Sequence, residues 1–187
     1  MAVVIETLRE EHRNITRLLG ALERQVDVFA QAGAADYEVI SGIADYFLEY
    51  PDRCHHPKED VVFSQLQAAH PEAASAIGDL LREHREVHER ADRFRLTVTA
   101  LLADTDIARD VIVDAALRFI ETERRHMQRE EAQFFPLAEK VLTPVDWARI
   151  EGALATGPDP LSGGKAEARF RKFSDQLLAW ELESRAS

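Results

Sequence analysis

The 187-residue sequence lacks several features that mark particular classes of protein. Its single cysteine, Cys54, excludes an internal disulfide, and no apolar run approaches the ~20 residues needed to cross a bilayer. The first residues are apolar only as far as Ile5, which is too short for the apolar stretch of a signal peptide. No cluster of lysine and arginine is present and the formal net charge is -11, so nucleic acid is not expected as a partner. We therefore expect a cytoplasmic protein with no membrane attachment.

Glycine and proline are also scarce, with eight and seven residues respectively. Most of them lie between stretches in which apolar residues recur at helical spacing, a pattern typical of long helices with short connections. Because 45% of the residues are hydrophobic, the chain has enough apolar material for a substantial core. No strand pattern is present, and the sequence predicts an all-α protein.

The apolar periodicity predicts four long helices and a short one. The first covers about residues 3–31, and the second covers about residues 36–69, with Asp36 as its N-cap. Pro51 and Pro57 lie inside the second helix and predict a kink or a local widening. The third and fourth helices cover about residues 71–102 and 107–142, and the short connection 103–106 makes them antiparallel neighbours. Thr143 and Pro144 predict the start of a fifth helix that ends near residue 155.

A proline- and glycine-rich segment, residues 157–164, is the clearest linker in the chain. A final helix should follow it, with an apolar stripe made of Ala166, Phe170, Phe173, Leu177 and Trp180. We expect this helix to pack on its own bundle. The alternative is a homodimer contact through the same stripe.

Potential metal ligands occur in three pairs whose members are four residues apart. The pairs are His55 with Glu59, His84 with His88, and His126 with Glu130. Residues at this spacing lie one above the other on a helix, with Cβ atoms about 5–6 Å apart. One ion can therefore accept both side chains, or a carboxylate can bridge to a second ion.

Each pair interrupts an apolar stripe, so its side chains should point into the core. The stripes comprise Phe47, Pro51, His55, Glu59, Val62 and Leu66 in the second helix; Ile77, Leu81, His84, His88, Ala91 and Val98 in the third; and Ile112, Phe119, Glu123, His126, Glu130, Leu137 and Val141 in the fourth. His12 lies on the stripe of the first helix. Burying so many polar groups without partners would cost several kcal/mol each, and metal coordination is the simplest way to offset that cost.

Four neighbouring residues leave alternatives open. His56 shares a face with acidic residues and is assigned to the surface or to a supporting position around the ligands. Glu123 lies one turn before His126, where it either orients a ligand histidine or serves as a spare ligand. Glu131 is an alternative to Glu130, and Cys54 is interpreted as a spectator thiol.

These motifs resemble the hemerythrin and HHE cation-binding family, particularly its bacterial members. The resemblance covers about residues 1–142 and rests on Glu11-His12, HHPKED, EHREVH, and HMQREE followed by FFP. It implies an up-down-up-down four-helix bundle over residues 1–142 that contains a non-haem di-iron site. Residues 143–187 would then form a C-terminal extension of one or two additional helices.

The resemblance also implies a division of the ligands. His84, His88 and His126 would hold one iron, His12 and His55 the other, and Glu59 and Glu130 would bridge them beside an oxo or hydroxo group. Zinc and manganese are the alternative ions. The second iron would keep an open position for O₂, NO or peroxide, in an apolar pocket lined by Leu8, Ile15, Phe47, Phe119 and Phe134.

Three functions follow from this resemblance. The first is binding or sensing of O₂ or NO, the second is a di-iron oxidoreductase that acts on peroxide or NO, and the third is iron storage or a structural metal site. Other metal sites fit less well: a ferritin-like centre requires two Glu-x-x-His motifs, but only Glu123 and His126 form one on an inward stripe. The zinc-protease motif requires glutamate directly after its first histidine, whereas Arg85 follows His84.

Overall fold

The computed structural model describes residues 2–103, 107–155, 168, 172, 175–179 and 182–183. Its helices in chain order are α1 (Val3–Ala30), α2 (Tyr37–Tyr50), a first π turn (Pro51–His55), α3 (His56–Ala69), α4 (Pro71–Ile77), α5 (Leu80–Leu102), α6 (Arg109–Arg129), a second π turn (Glu130–Phe134), α7 (Phe135–Val141) and α8 (Pro144–Ala155). These residues contain no strand, which confirms the predicted all-α class.

Four long helical segments form the bundle. The first π turn joins α2 to α3, and the second joins α6 to α7, so that each pair makes one continuous rod. α1 contacts α2 and α6, while α5 contacts the same two helices from the other side. Each segment therefore has two neighbours, as a four-helix bundle requires, and α8 packs outside the bundle against α3.

Side-chain caps fix the start of two helices where the sequence predicted them. Asp36 Oδ1 accepts hydrogen bonds from the backbone N–H groups of Glu38 (3.0 Å) and Val39 (3.1 Å) at the start of α2. At the start of α8, Asp146 Oδ2 accepts from the Thr143 backbone N–H at 2.9 Å and from the Thr143 hydroxyl at 2.6 Å. Gln65 Nε2 donates to the other oxygen of Asp146 at 2.8 Å, which ties α8 to α3.

The predicted third helix is in fact two helices, α4 and α5. The chain breaks at Gly78, whose φ of 89° and ψ of -151° lie in a region that only glycine adopts without strain. Asp79 then caps α5 by accepting a hydrogen bond from the Arg82 backbone N–H at 2.9 Å. The apolar periodicity continues across this break, which is why it did not show in the pattern.

Both π turns change which residues face the core. The first begins at Pro51 and confirms the widening predicted there. The second was not predicted, and it adds a residue to one helical turn, which rotates the following stripe. As a result, Leu137 and Val141, predicted as inward, are only partly buried. The buried residues of this part of the chain are Phe134, Phe135, Ala138 and Leu142.

Two apolar clusters fill the bundle and leave a polar layer between them. One includes Ile15, Phe47, Phe94 and Phe119. The other includes Leu8, Val62, Phe134 and Ile150. On α1, His12 lies between Leu8 of the second cluster and Ile15 of the first, so the polar layer crosses the middle of the bundle.

Several predictions for the C-terminal region lie outside the described residues. They concern the linker 157–164 and the stripe residues Ala166, Phe170, Phe173 and Trp180, as well as most of the 103–106 connection. Leu177 is described, and at 1% exposure it belongs to the same apolar cluster as Phe94 and Phe119. None of the described helices has the length and hydropathy needed to cross a membrane.

Candidate metal centre

The polar layer contains two groups of four side chains. Within each group every residue offers one nitrogen or oxygen atom, and these four atoms lie within 4.8 Å of one another. The His12 group consists of His12, His55, Glu59 and Glu130, and the His84 group consists of His56, His84, His126 and Glu59. All of these residues are buried. They come from α1, the first π turn, α3, α5, α6 and the second π turn, so every long segment of the bundle contributes.

The His12 group is closely packed around two imidazole nitrogens. His12 Nε2 and His55 Nε2 are 3.1 Å apart. Glu59 Oε1 lies 3.6 Å from His12 Nε2 and 3.3 Å from His55 Nε2. Glu130 Oε2 approaches His12 Nε2 to 3.4 Å. Four potential ligand atoms therefore surround one small volume.

The His84 group is built in the same way from the other side of the layer. Glu59 Oε2 lies 3.3 Å from His84 Nε2. Glu130 Oε1 lies 3.6 Å from His84 Nε2 and 3.3 Å from His126 Nε2. The His56 ring stacks on the His84 ring, with centroids 4.0 Å apart. Both glutamates thus direct one oxygen to each group.

A carboxylate outside the layer lies against the second ring nitrogen of each histidine. His12 Nδ1 is 2.9 Å from Glu131 and His55 Nδ1 is 2.8 Å from Glu11. The corresponding distances are 3.1 Å from His56 to Asp52, 3.0 Å from His84 to Asp60, and 3.6 Å from His126 to Glu83. Such partners fix the ring orientation and leave the opposite nitrogen available to a metal ion.

Buried polar atoms that lack a hydrogen-bond partner indicate whether these residues fit a metal ion. Both oxygens of Glu59 and Glu130, and Nε2 of His84 and His126, are buried and have no hydrogen-bond partner. Buried polar atoms are almost always hydrogen-bonded, and leaving one unpaired costs about 1–3 kcal/mol. Atoms that are all potential ligands and all face one volume fit bound cations.

The histidines and glutamates also perturb one another's protonation. Burial would lower the pKa of His12, but Glu130, Glu131 and Glu59 raise it to about 11. For His84, burial is likewise outweighed by Asp60, Glu130 and Glu59, which raise its pKa to about 11. In the metal-free chain, protons on these two histidines therefore balance the buried carboxylates, a role that cations take over on binding.

Glu59 and His56 respond to burial in different ways. Burial would raise the pKa of Glu59, but His55, His12 and His84 hold it well below its ordinary value. Burial lowers the pKa of His56 to about 4, because its contact with Asp52 does not compensate for the loss of water. Glu59 is thus an anion and His56 a neutral imidazole, the forms in which each can bind a metal.

The structure brings together six of the seven ligands predicted from the sequence, and His88 is the exception. Its side chain is 45% exposed, with Nδ1 2.6 Å from Asp52 Oδ2. His56 was assigned to the surface or to a supporting position around the ligands; it is not at the surface but buried, and it lies within the His84 group.

The exposure of His88 follows from which face of α5 is buried. Its buried residues are Leu80, His84, Val87, Ala91, Phe94 and Val98, which alternate steps of four and three residues. The predicted stripe instead passed from His84 to His88 and included Leu81, which is 45% exposed. Val87 and Phe94 indicate the buried face of α5 correctly, because they continue its apolar spacing without His88.

The residues of the other open alternatives differ in position. Glu130 belongs to the His12 group, whereas Glu131 lies outside it against His12 Nδ1. Glu123 is buried but belongs to neither group, and its Oε1 has no hydrogen-bond partner. Burial raises the pKa of Glu123 to about 7. Sequence reasoning missed the outer carboxylates, although the four-residue spacing of Asp52 and His56 was a visible signal.

The fold and the centre together define a class of protein, an all-α bundle with a buried histidine–carboxylate cation site. The family model described as Hemerythrin HHE cation binding domain matches residues 3–138. The chain belongs to this family, and the resemblance stated from its motifs is confirmed. Neither the search of curated proteins nor the search of solved structures returned a match.

Proposed function

We propose that the centre holds two non-haem iron ions and binds a small ligand, O₂, NO or peroxide. The proposed iron ligands are His56, His84 and His126 for one ion, His12 and His55 for the other, and Glu59 and Glu130 for both. The observation that carries the proposal is the orientation of the two glutamates. Each has one oxygen facing the His12 group and the other facing the His84 group, which is the arrangement that two ions need and one ion does not.

The donor set suits iron, and its asymmetry favours one side for the ligand. Imidazole with carboxylate accommodates iron, and zinc or manganese could replace it. A pair of iron ions supplies redox chemistry and an open coordination position for a diatomic molecule or peroxide. The His84 group provides three histidines but the His12 group only two, so an outside ligand would bind on the His12 side, where fewer protein ligands are available.

Apolar side chains restrict water around His12. Leu8 and Ile15 flank it on α1 and are almost fully buried. The Phe135 ring stacks on the His12 ring, with centroids 5.3 Å apart and planes 21° apart. Water-poor surroundings of this kind favour binding of a small neutral ligand and limit side reactions.

Glu123 provides a group that can hold a proton near the centre. It lies one turn before His126 on the buried face of α6, and the charges of His126 and His55 act on it. Because burial raises its pKa to about 7, its carboxyl is partly protonated near neutral pH. This carboxyl could therefore hold a proton beside the His84 group.

A di-iron oxidoreductase is the second candidate, and an open cleft beside His12 favours it. This cleft has a volume of about 720 Å³, and its lining includes His12, Glu131 and four arginines. It would give peroxide or another small substrate a route from solvent to the His12 side of the centre. Turnover would also require an electron donor.

The test is to load the metal-free protein with Fe(II) under argon and record its optical spectrum as air is admitted and then removed. Charge-transfer bands that appear with O₂ and fade on its withdrawal support reversible binding. Irreversible oxidation with turnover of added peroxide supports the oxidoreductase. Failure to bind iron contradicts both. Glu130→Gln should retain one iron per chain instead of two, whereas Glu121→Gln, at an exposed position of α6, should retain both.

A further inference from the structure

A second cleft lies on the opposite side of the centre, between α3 and α5, and its charge is different. It has a volume of about 510 Å³. We call it the acidic cleft and define it by Asp52, Asp60, His88 and Glu89, which line it together with the buried residues His56 and His84. Among the described residues that line it, Arg85 is the only arginine or lysine. The cleft beside His12, by contrast, is lined by Arg9, Arg13, Arg17 and Arg124.

Asp52 connects an exposed histidine to a buried one. Its Oδ2 lies 2.6 Å from His88 Nδ1 and its Oδ1 lies 3.1 Å from His56 Nδ1. The side chains of His88 and Asp52 are 45% and 43% exposed, whereas that of His56 is 6% exposed. A single carboxylate, that of Asp52, therefore separates the exposed His88 from His56 of the His84 group.

A second carboxylate of the acidic cleft, that of Asp60, contacts the other buried histidine, His84. Asp60 Oδ1 lies 3.0 Å from His84 Nδ1 without hydrogen-bond geometry, so this nitrogen has a close carboxylate but no hydrogen bond, although His84 is more than nine-tenths buried. The other nitrogen of His84 faces Glu59 within the centre. Both histidines of the cleft floor thus present one side to the cleft and belong to the His84 group.

We propose that His88 and Asp52, with Asp60, form a loading site that captures a divalent cation at the surface and transfers it to the His84 group. Imidazole with carboxylate is the donor set that such cations bind, and the acidic lining raises their local concentration. Three carboxylates, those of Asp52, Asp60 and Glu89, line the acidic cleft against the single described arginine, so this cleft is a favourable approach for a cation. This inference rests on the proposed function, because it requires a metal in the centre.

The test measures the rate of metal uptake rather than activity. Metal-free protein is mixed with substoichiometric Fe(II) under argon, samples are quenched with a chelator at intervals, and iron retained per chain is counted. His88→Ala should slow uptake by about tenfold while the final iron content stays at the wild-type value. His88→Glu should restore much of the rate because it returns a cation ligand, whereas His88→Arg should not. His70→Ala, at the C-terminal end of α3 and outside both clefts, is the matched control.

The outcomes separate this inference from the proposed function. Equal uptake rates for His88→Ala and His70→Ala, with normal iron content, would overturn the loading site and leave the proposed centre intact. Loss of one iron from His88→Ala at equilibrium would show that His88 is itself a ligand of the centre and would overturn the inference. A wild-type protein that takes up no iron would overturn both.

Discussion

Asp52 contacts the buried His56 and the exposed His88, and only His56 lies where it could bind a metal in the centre. His56 lies within 4.8 Å of potential ligand atoms from three other buried residues, whereas His88 faces the acidic cleft. The first π turn ends at His55, directly before His56, and both adjacent histidines are buried there. A carboxylate on Nδ1 fixes the ring of each histidine in the layer.

His56→Ala should therefore weaken one of the two metal positions and leave the other. We expect the affinity of that position to fall by about 10- to 100-fold, because the His84 group loses one of its three imidazoles. Equilibrium dialysis against Fe(II), with metal counted per chain, measures this. His88→Ala is the control and should retain the wild-type content. If instead His88→Ala loses an ion and His56→Ala does not, the assignment of the two histidines is reversed.

The raised pKa values of His12 and His84 predict how pH affects the metal-free protein. In the unfolded chain both titrate near 6.5, whereas in the folded chain their pKa is about 11. Between pH 7 and 9 the folded state therefore holds protons that the unfolded state has lost, so the stabilisation present below pH 6.5 declines as pH rises. The limiting slope is about 1.4 kcal/mol per pH unit for each histidine.

Thermal unfolding of the metal-free and iron-loaded forms between pH 7 and 9 checks this expectation. The melting temperature of the metal-free form should fall with pH, while that of the loaded form should change much less because metal replaces the protons. Metal binding should also release protons, so affinity should rise with pH across this interval. A melting temperature of the metal-free form that is constant or rises with pH would contradict the assignment of charged histidines.

The break between α4 and α5 depends on Gly78. An alanine there must adopt a φ of 89° with a ψ of -151°, so Gly78→Ala should destabilise the protein by about 1–3 kcal/mol. Gly152 is the matched control, because it lies within α8 and a Cβ there meets nothing within 4 Å. Gly152→Ala should be neutral or stabilise by roughly 0.5–1 kcal/mol. Chemical denaturation measures both, and equal effects of the two substitutions would refute the role of Gly78.

The sequence predicted the helices well where the apolar period is regular and less well where the backbone departs from it. α1 and α8 have almost the predicted bounds, and Asp36 caps α2 as expected. Breaks and π turns change the face of a helix by one residue without changing its composition. The inward positions of Phe135 and His56 both follow from such changes, and an ideal helical period could not have revealed them.

The ligand types were easier to predict than their exact partners. Six of the seven predicted ligands meet because His-x-x-x-Glu pairs on two helices keep the same face over one turn. The His84 and His88 pair has the same spacing, but only His84 is buried, because Leu80, Val87 and Phe94 set the buried face of α5. Most of the outer carboxylates depend on contacts between helices that are distant in sequence, such as Glu11 with His55, and no local pattern encodes those, whereas Asp52 lies only four residues before His56.

The bundle as a whole has a polar layer between two apolar clusters, and that layer is costly without metal. Its buried carboxylates and imidazoles include several atoms with no hydrogen-bond partner. Metal binding should therefore stabilise the folded chain. At free Fe(II) about 1,000 times the dissociation constant, each ion adds about 4 kcal/mol, which corresponds to a rise of roughly 10 °C in melting temperature.

His126→Ala provides the variant for this comparison. Because it removes a ligand of the His84 group, its melting temperature should gain less from Fe(II) than that of the wild type. Scanning calorimetry with and without Fe(II) under argon measures the gain, and Arg125→Ala at the adjacent exposed position is the control. An equal gain in His126→Ala and Arg125→Ala would exclude His126 as a ligand.

If two ions share Glu59 and Glu130, as we propose, an anaerobic titration of the metal-free protein with Fe(II) will show it in the number of irons retained per chain. The proposed centre predicts retention that rises to two irons per chain, one for each ligand group, and then stops. Retention that stops at one iron, or no retention at all, would contradict the shared arrangement of the two glutamates.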